Sequence, residues 1–261
     1  MTVARLLAIA GSDSGGGAGI QADLKAFAHC GVHGMTAITA VTMQNTVAVT
    51  GVHPLPPEAI VGQVRAVTED LGVDAVKIGM LGSAEASGAV ERALDLIGGA
   101  PVVLDPVMVA ESGAVLLDDD AREALRTRLV PRATVVTPNL PEARVLSRAE
   151  EGESAEALAR AVYALGPGAV VVTGGHGERA TDLFFDGEEM VAIDGERHSG
   201  GAAHGSGCTH SSALAAHLAL GLEPVDAARR AKEIAAEAVR NGLREIGAGA
   251  GPVNVLGIGR V

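Results

Sequence analysis

Residues 5–27 read RLLAIAGSDSGGGAGIQADLKAF, a short apolar run, a turn crowded with glycine and a stretch of helical character. RLLAIA (5–10) suits a strand buried on both faces, and IQADLKAFAHC after the turn suits an amphipathic helix. The same alternation recurs along the chain. MTAITAV (35–41), DAVKIG (74–79), PVVLD (101–105), TVVTP (134–138) and AVVVTG (169–174) are further apolar, β-branched runs of strand length. Between them lie PEAIVGQVRAVTEDLG, SAEASGAVERALDLI, DDAREALRTRL and SAEALARAVYAL, which are amphipathic. This βαβα order makes the class α/β, with a mostly parallel sheet covered by helices on both faces. One segment departs from it: in DLFFDGEEMVAID (182–194), Asp186-Gly187 between two strand-like runs predicts a hairpin at the sheet edge. Two Ala-rich helices follow, over roughly 208–220 and 224–243. Without a low-complexity linker or an internal repeat, residues 1–261 are expected to form one domain. The tail GAGAGPVNVLGIGRV (247–261) reads as an irregular surface segment.

Composition narrows the function. With 261 residues and 48% hydrophobic side chains there is ample material for a core. The 20 Lys and Arg against 32 Asp and Glu give a charge of −12, which repels phosphodiester backbones and anionic lipids. Neither nucleic acid nor membrane is an expected partner. The apolar start reaches a Gly/Ser/Asp turn too soon for a membrane span or a secretory core. Cys30 and Cys208 form no CxxC pair and cannot build a disulfide framework, so a reducing cytoplasm is the expected compartment.

In an open α/β sheet, ligands bind beyond the carboxyl ends of the strands. The loop Gly11–Gly19 satisfies neither the P-loop nor the dinucleotide fingerprint. It offers a flexible backbone and N–H groups leading into a helix, a setting for close approach by a ligand. Asp105-Pro106 and Asn139-Leu-Pro-Glu142 also follow strands. Strand-end carboxylates can hold Mg²⁺ through water and phosphate, but Asn139 and Glu142 equally suit a helix capping box. HGSGCTH (204–210) carries the strongest signal. Gly205, Ser206 and Gly207 aim amides into one concavity at a helix N-terminus, where a phosphoryl group is stabilised. Cys208 falls in the first turn, where the dipole favours a thiolate. A zinc site from His204, Cys208 and His210, a cysteine hydrolase and a merely buried thiol are the rival readings of this segment. His176, in Thr-Gly-Gly-His after a strand, is the next candidate for ligand contact.

GSDSGGGAGIQADLKAF, the AITAVTMQNT run, KIGML, VVLDPVMVAESG, TPNLPEA, GGH and HGSGCTHSSALAAHLA, taken in order, resemble the hydroxymethylpyrimidine and phosphomethylpyrimidine kinases of thiamine biosynthesis. The resemblance covers nearly the whole chain. It implies the three-layer α/β/α ribokinase-like fold, commonly a homodimer, with Cys208 beside the substrate hydroxymethyl group in place of the superfamily's aspartate. It further implies that Gln44 hydrogen-bonds the aminopyrimidine edge, that Gly11, Ala18, Asp23 and Met80 line the same pocket, and that Val107 packs on the ring. Gly205 and Gly207, with Ser206 between them, would form part of the anion hole. ATP and Mg²⁺ would meet Asp105, Asn139, Thr173 and His176, with Glu142 organising the metal. Many relatives carry lysine where Thr173 stands, so Lys232 is a candidate replacement for that charge. Val255 also stands where a histidine often follows GPVN. The implied reaction is ATP-dependent phosphorylation of 4-amino-5-hydroxymethyl-2-methylpyrimidine and then of its monophosphate. A pyridoxal or pyridoxine kinase and a non-catalytic pyrimidine-binding protein are the alternatives.

Overall fold

A computed structural model describes residues 3–174, 180–198 and 202–259. Among the described residues nine strands form one sheet: β1 (Arg5–Asp13), β2 (His33–Gln44), β3 (Val49–Pro54), β4 (Ala75–Ile78), β5 (Val102–Leu104), β6 (Val135–Val136), β7 (Ala169–Val172), β8 (Asp182–Phe185) and β9 (Met190–Ile193). Their order is β3-β2-β1-β4-β5-β6-β7-β8-β9. From β2 to β7 all neighbours are parallel, whereas β3, β8 and β9 are antiparallel additions at the two edges. The hairpin expected around Asp186-Gly187 is β8–β9, and Gly187 holds φ +98° in its turn. β3 was not anticipated.

The helices are α1 (Gly19–His29), α2 (Pro57–Asp70), α3 (Ala84–Leu94), α4 (Asp119–Ala124), α5 (Leu140–Ser147), α6 (Ala155–Tyr163), α7 (Ser206–Ala219) and α8 (Pro224–Arg240). Several starts are written into the sequence. The side chains of Ser83, Asp118 and Ser154 each accept a hydrogen bond from the amide three residues on, at the N-caps of α3, α4 and α6. The single helix expected over 119–129 instead passes from α4 into a π-helical turn, Leu125–Leu129, and a short 3-10 turn, Val130–Arg132.

Strand side chains alternate between two cores. Leu7, Ile9, Val76, Ile78, Leu104, Val136 and Val170 point to the layer of α2 to α6. Leu6, Ala8, Ala10, Ala75, Val103, Val135 and Val171 point to the layer of α1, α7 and α8. This period of two on strands that are apolar on both faces produces three layers. The first residues of α7 and the ends of β1, β5 and β7 therefore meet at one rim of the sheet. The tail departs from the sequence reading: residues 251–255 are buried, with the Val253 amide donating to the His204 carbonyl and the Asn254 amide to that of Ala238. Its glycines permit a tight path, and its Pro and Val side chains supply the apolar contact.

Leu104→Ala, at a fully buried position of β5, is expected to cost about 2–5 kcal/mol in denaturant unfolding. Val115→Ala, at a position 68% exposed, should fall within about 0.5 kcal/mol of the parent protein.

Candidate active site

The rim encloses a cavity of about 440 Å³ whose walls come from both ends of the chain. Its key is Asp13, the last residue of β1. One carboxylate oxygen accepts from the Gly15 amide at 2.8 Å, and the other from the Gly17 and Ala18 amides at 3.0 and 2.9 Å. The Gly16 amide donates to the Asp13 carbonyl at 3.0 Å. The Gly15, Gly17 and Ala18 amides, expected to await a ligand in this loop, are thus consumed by the loop's own aspartate, while α1 itself starts without a side-chain cap. His204 Nε2 donates to the same carboxylate at 3.1 Å. Burial pushes the Asp13 carboxyl up, but the bonds from His204, Ala18 and Gly15 outweigh it and hold the group below its ordinary value.

That bond draws the turn before α7 against the turn after β1. Gly205 caps α7 at φ +83°, and a Cβ there would collide with the Gly17 carbonyl. Only glycine satisfies both the left-handed backbone and the close approach. Ser206, Gly207 and Cys208 then form the first turn of α7, and all three line the cavity. The expectation of a ready thiolate is overturned: burial pushes the Cys208 thiol up to about 12, only partly opposed by Lys77. Desolvation outweighs the helix dipole here.

Gly11, Ala18, Gln44, Met80 and Val107 line the same cavity. Ser14 fixes the Gln44 backbone from both sides, accepting its amide at 2.8 Å and donating to its carbonyl at 2.7 Å. Thr42 Oγ1 lies 3.2 Å from Gln44 Oε1. Asp23 does not belong to the lining. Its side chain is fully buried beneath the site and paired with Lys77 at 2.8 Å, because α1 turns that face toward the sheet rather than the cavity.

At the other end of the cavity stand Asp105, Asn139, Glu142, Thr173 and Lys232. Asn139 and Glu142 do form the capping box, each side chain accepting from the other's amide at 2.9 Å. Both still line the cavity. Burial, with Asp105 adding to it, pushes the Glu142 carboxyl up to about 8. Lys232 meets Asp182 at 2.6 Å, so its charge is already engaged. His210 Nε2 lies 3.1 Å from the second oxygen of Asp182. Burial raises the Asp182 carboxyl, yet His210 and Lys232 together bring it below its ordinary value. His204 and His210 thus serve different aspartates, and among the described residues no three His, Cys, Asp or Glu side chains converge on a metal position. The zinc reading has no geometry to stand on. His176 lies outside the described residues.

Sequence reasoning missed three participants: Asp13, Asp182 and Lys77. A lysine inside the apolar run DAVKIG was the available signal for the last.

A family model described as phosphomethylpyrimidine kinase matches residues 13–254. A hydroxymethylpyrimidine/phosphomethylpyrimidine kinase of Rhizobium meliloti is 49% identical over 95% of this chain and 95% of its own. Among solved structures, a pyridoxal kinase of Bacillus subtilis in an ADP complex superposes with a TM-score of 0.89 at 37% identity, covering 97% of each chain. A pyridoxal kinase of Staphylococcus aureus, in complex with AMP-PCP and pyridoxal, gives 0.89 at 33% identity over 100% of this chain and 96% of its own.

Asp13→Asn should be less stable than the parent at pH 7 in denaturant unfolding. The depressed carboxyl contributes stability fully above its unfolded value of about 3.9 and loses it as pH falls through the lower folded value. The gap between the two proteins is therefore expected to close on acidification below pH 4.

Proposed function

From the phosphomethylpyrimidine kinase family, to which this chain belongs, we propose an ATP-dependent kinase of 4-amino-5-hydroxymethyl-2-methylpyrimidine and of its monophosphate. The single observation that carries the reading is the juxtaposition in one cavity of a Gln44 pocket and the Gly205–Cys208 turn at the N-terminus of α7. In this reading the whole chain, 1–261, acts as one kinase domain in the cytoplasm. Among the described residues no helix is long and apolar enough to cross a membrane.

The amide of Gln44 both donates and accepts, which matches the edge of an aminopyrimidine. Met80 and Val107 give the ring apolar walls, and Gly11 and Ala18 leave space for it. The substrate alcohol then faces Cys208. As the alcohol oxygen bonds to the γ-phosphorus, the bond to the ADP oxygen breaks and ADP leaves with that electron pair. The charge on the migrating group falls on the amides of Gly205, Gly207 and Cys208, whose fixed orientation supplies the stabilisation, whereas the Ser206 amide is already given to the Ala203 carbonyl at 3.0 Å. In a loose transition state the alcohol keeps its proton until the new bond is nearly made, so the acceptor can be weak or sparsely ionised. The thiolate form of Cys208 accepts that proton and becomes the thiol. The second transfer reuses the pocket with a phosphate oxygen as nucleophile.

Asp105 and Glu142 present hard oxygen donors without enclosing an ion, which fits a magnesium ion that retains much of its water and is shared with phosphate. Bound there, Mg²⁺ would offset phosphate charge. Asn139 and Thr173 support the same end of the cavity, where Lys232 stands with its charge already paired to Asp182. A homodimer is part of the reading. Val41 and Met43 on β2 are 43% and 49% exposed on one face of the β2–β3 ribbon, a surface suited to the same surface of a second copy.

The kinase test is ADP release with each acceptor, with product mass and pyridoxal as competitor. Turnover on the aminopyrimidine should exceed that on pyridoxal in kcat/KM by at least about tenfold, and ligand binding without ADP release would defeat the reading. Cys208→Ala should lower kcat by about 10²–10⁴-fold while moving KM for the pyrimidine little. In the parent enzyme kcat should still be rising at pH 9, as a thiol pushed up to about 12 requires, and this rise should be lost in the variant. Met43→Glu should shift sedimentation from dimer to monomer without unfolding the chain.

A further inference from the structure

The reading above leaves one fully buried charge unused. Lys77, in the middle of β4, has no exposed surface. Its ammonium lies 2.8 Å from Asp23 on α1 and 3.9 Å from Asp105 at the end of β5. Each of those carboxylates is also held by α7. Ser212 Oγ donates to Asp23 at 2.7 Å, and Ser211 Oγ lies 2.9 Å from both Asp105 and the Gly207 carbonyl, so that its one proton is shared between the carboxylate and the anion turn. Two consecutive serines of the anion-turn helix thus grip the two partners of one lysine. Space for the lysine head depends on Gly79, where a Cβ would come within 2.8 Å of Nζ.

Ion pairs of this kind contribute little net stability, because desolvation offsets the attraction. α7 has few other means of fixing its position along its own axis beyond His204 on Asp13 and His210 on Asp182. Among Ala213, Leu214, Ala215 and Ala216 on its buried face only Leu214 is large, and the alanines are too small to interlock deeply with the sheet. Directional hydrogen bonds at Ser211 and Ser212 do what those knobs cannot. They lie only one turn from Cys208, so any axial slip of the helix is delivered directly to the anion turn.

We propose that Lys77 is a positioning residue for phosphoryl transfer: by clamping Asp23 and Asp105 beneath α7 it fixes the register of the Gly205–Cys208 turn against the cavity. The proposal rests on the kinase reading for its consequence, though not for its geometry. Misplacement of reacting groups by an ångström can cost about 10²-fold in rate.

Three variants test it: Ser211→Ala, Lys77→Met, and Lys77→Met with Asp23→Asn, the last leaving no uncompensated carboxylate at residue 23. Two readouts are used, kcat and KM on the aminopyrimidine, and amide hydrogen exchange of residues 205–208 in the ligand-free protein. The double variant should lose about 10²-fold in kcat with KM for the pyrimidine nearly unchanged, and Ser211→Ala should lose about tenfold. In both, exchange at 205–208 should speed up by about tenfold. A double variant that turns over like the parent would reduce Lys77 to a neutraliser of Asp23 and overturn the proposal. So would a fall in kcat with exchange unmoved. If the double variant does not fold, Ser211→Ala decides alone, and its indifference in both readouts is equally fatal. A parent protein without kinase activity would instead remove the kinase reading, and the exchange data would still judge the clamp.

Discussion

The carboxylate of Asp13 joins two turns that lie 191 residues apart in the chain. It gathers the amides of Gly15, Gly17 and Ala18 and then takes His204 from the turn that opens α7. The close approach of the two turns on the cavity's transferring side follows from that contact. Gly205 can approach the Gly17 carbonyl only because neither residue carries a side chain there, and the tail residue Val253 then seals the outside by bonding to His204. A parallel sheet places strand ends at a common rim but does not bring the loops above it together. Here a buried, multiply bonded anion does so.

The fold was largely legible because its strands are buried on both faces. An apolar run such as PVVLD or AVVVTG has no other stable place than a covered parallel sheet. β3 escaped for the complementary reason: its burial comes from none of its side chains, most of which are exposed, and its hydrogen bonds to β2 leave no periodic trace. The capping box at Asn139 was readable as a spacing, although whether it competed with a ligand role was not. Forming the box leaves both residues in the cavity wall. Glycine content misled at both ends of the chain. A run of glycines reports conformational freedom, not where the amides go. At 15–18 they turn inward to Asp13, and at 251–255 the chain packs rather than lying loose.

Burial decided the ionisation states that sequence position alone left to the helix dipole. The dipole acts within the first turn and favours an anion modestly, whereas loss of water around a thiol acts at full strength in a closed site. Cys208 is therefore mainly a thiol before substrate arrives. Such a group would be a poor base for a reaction that had to deprotonate its nucleophile first. Only its thiolate fraction can accept a proton, and in the proposed reaction a small fraction suffices because bond formation to phosphorus precedes proton loss. The raised thiol and the loose transition state are mutually consistent, and either alone would be puzzling.

A chain of charge −12 that receives a polyphosphate needs a local reason. Most of its carboxylates lie on the surface, where salt confines their influence to about 8–10 Å. Inside the cavity the balance differs. The amides of Gly205, Gly207 and Cys208 are fixed at the start of α7, and Lys77 and Lys232, each held in an ion pair, sit beneath and beside them. Of the carboxylates in the wall, Asp13 is spent on amides and His204, and Asp182 on Lys232 and His210. Glu142, pushed up to about 8, is largely uncharged at neutral pH while it lies beside Asp105. The negative charge facing a ligand is thus reduced, and Asp105, Glu111 and Glu196 remain in the wall for an accompanying cation to offset. The same burial that withholds a thiolate from Cys208 also withholds a carboxylate from Glu142, and in doing so clears the approach for phosphate.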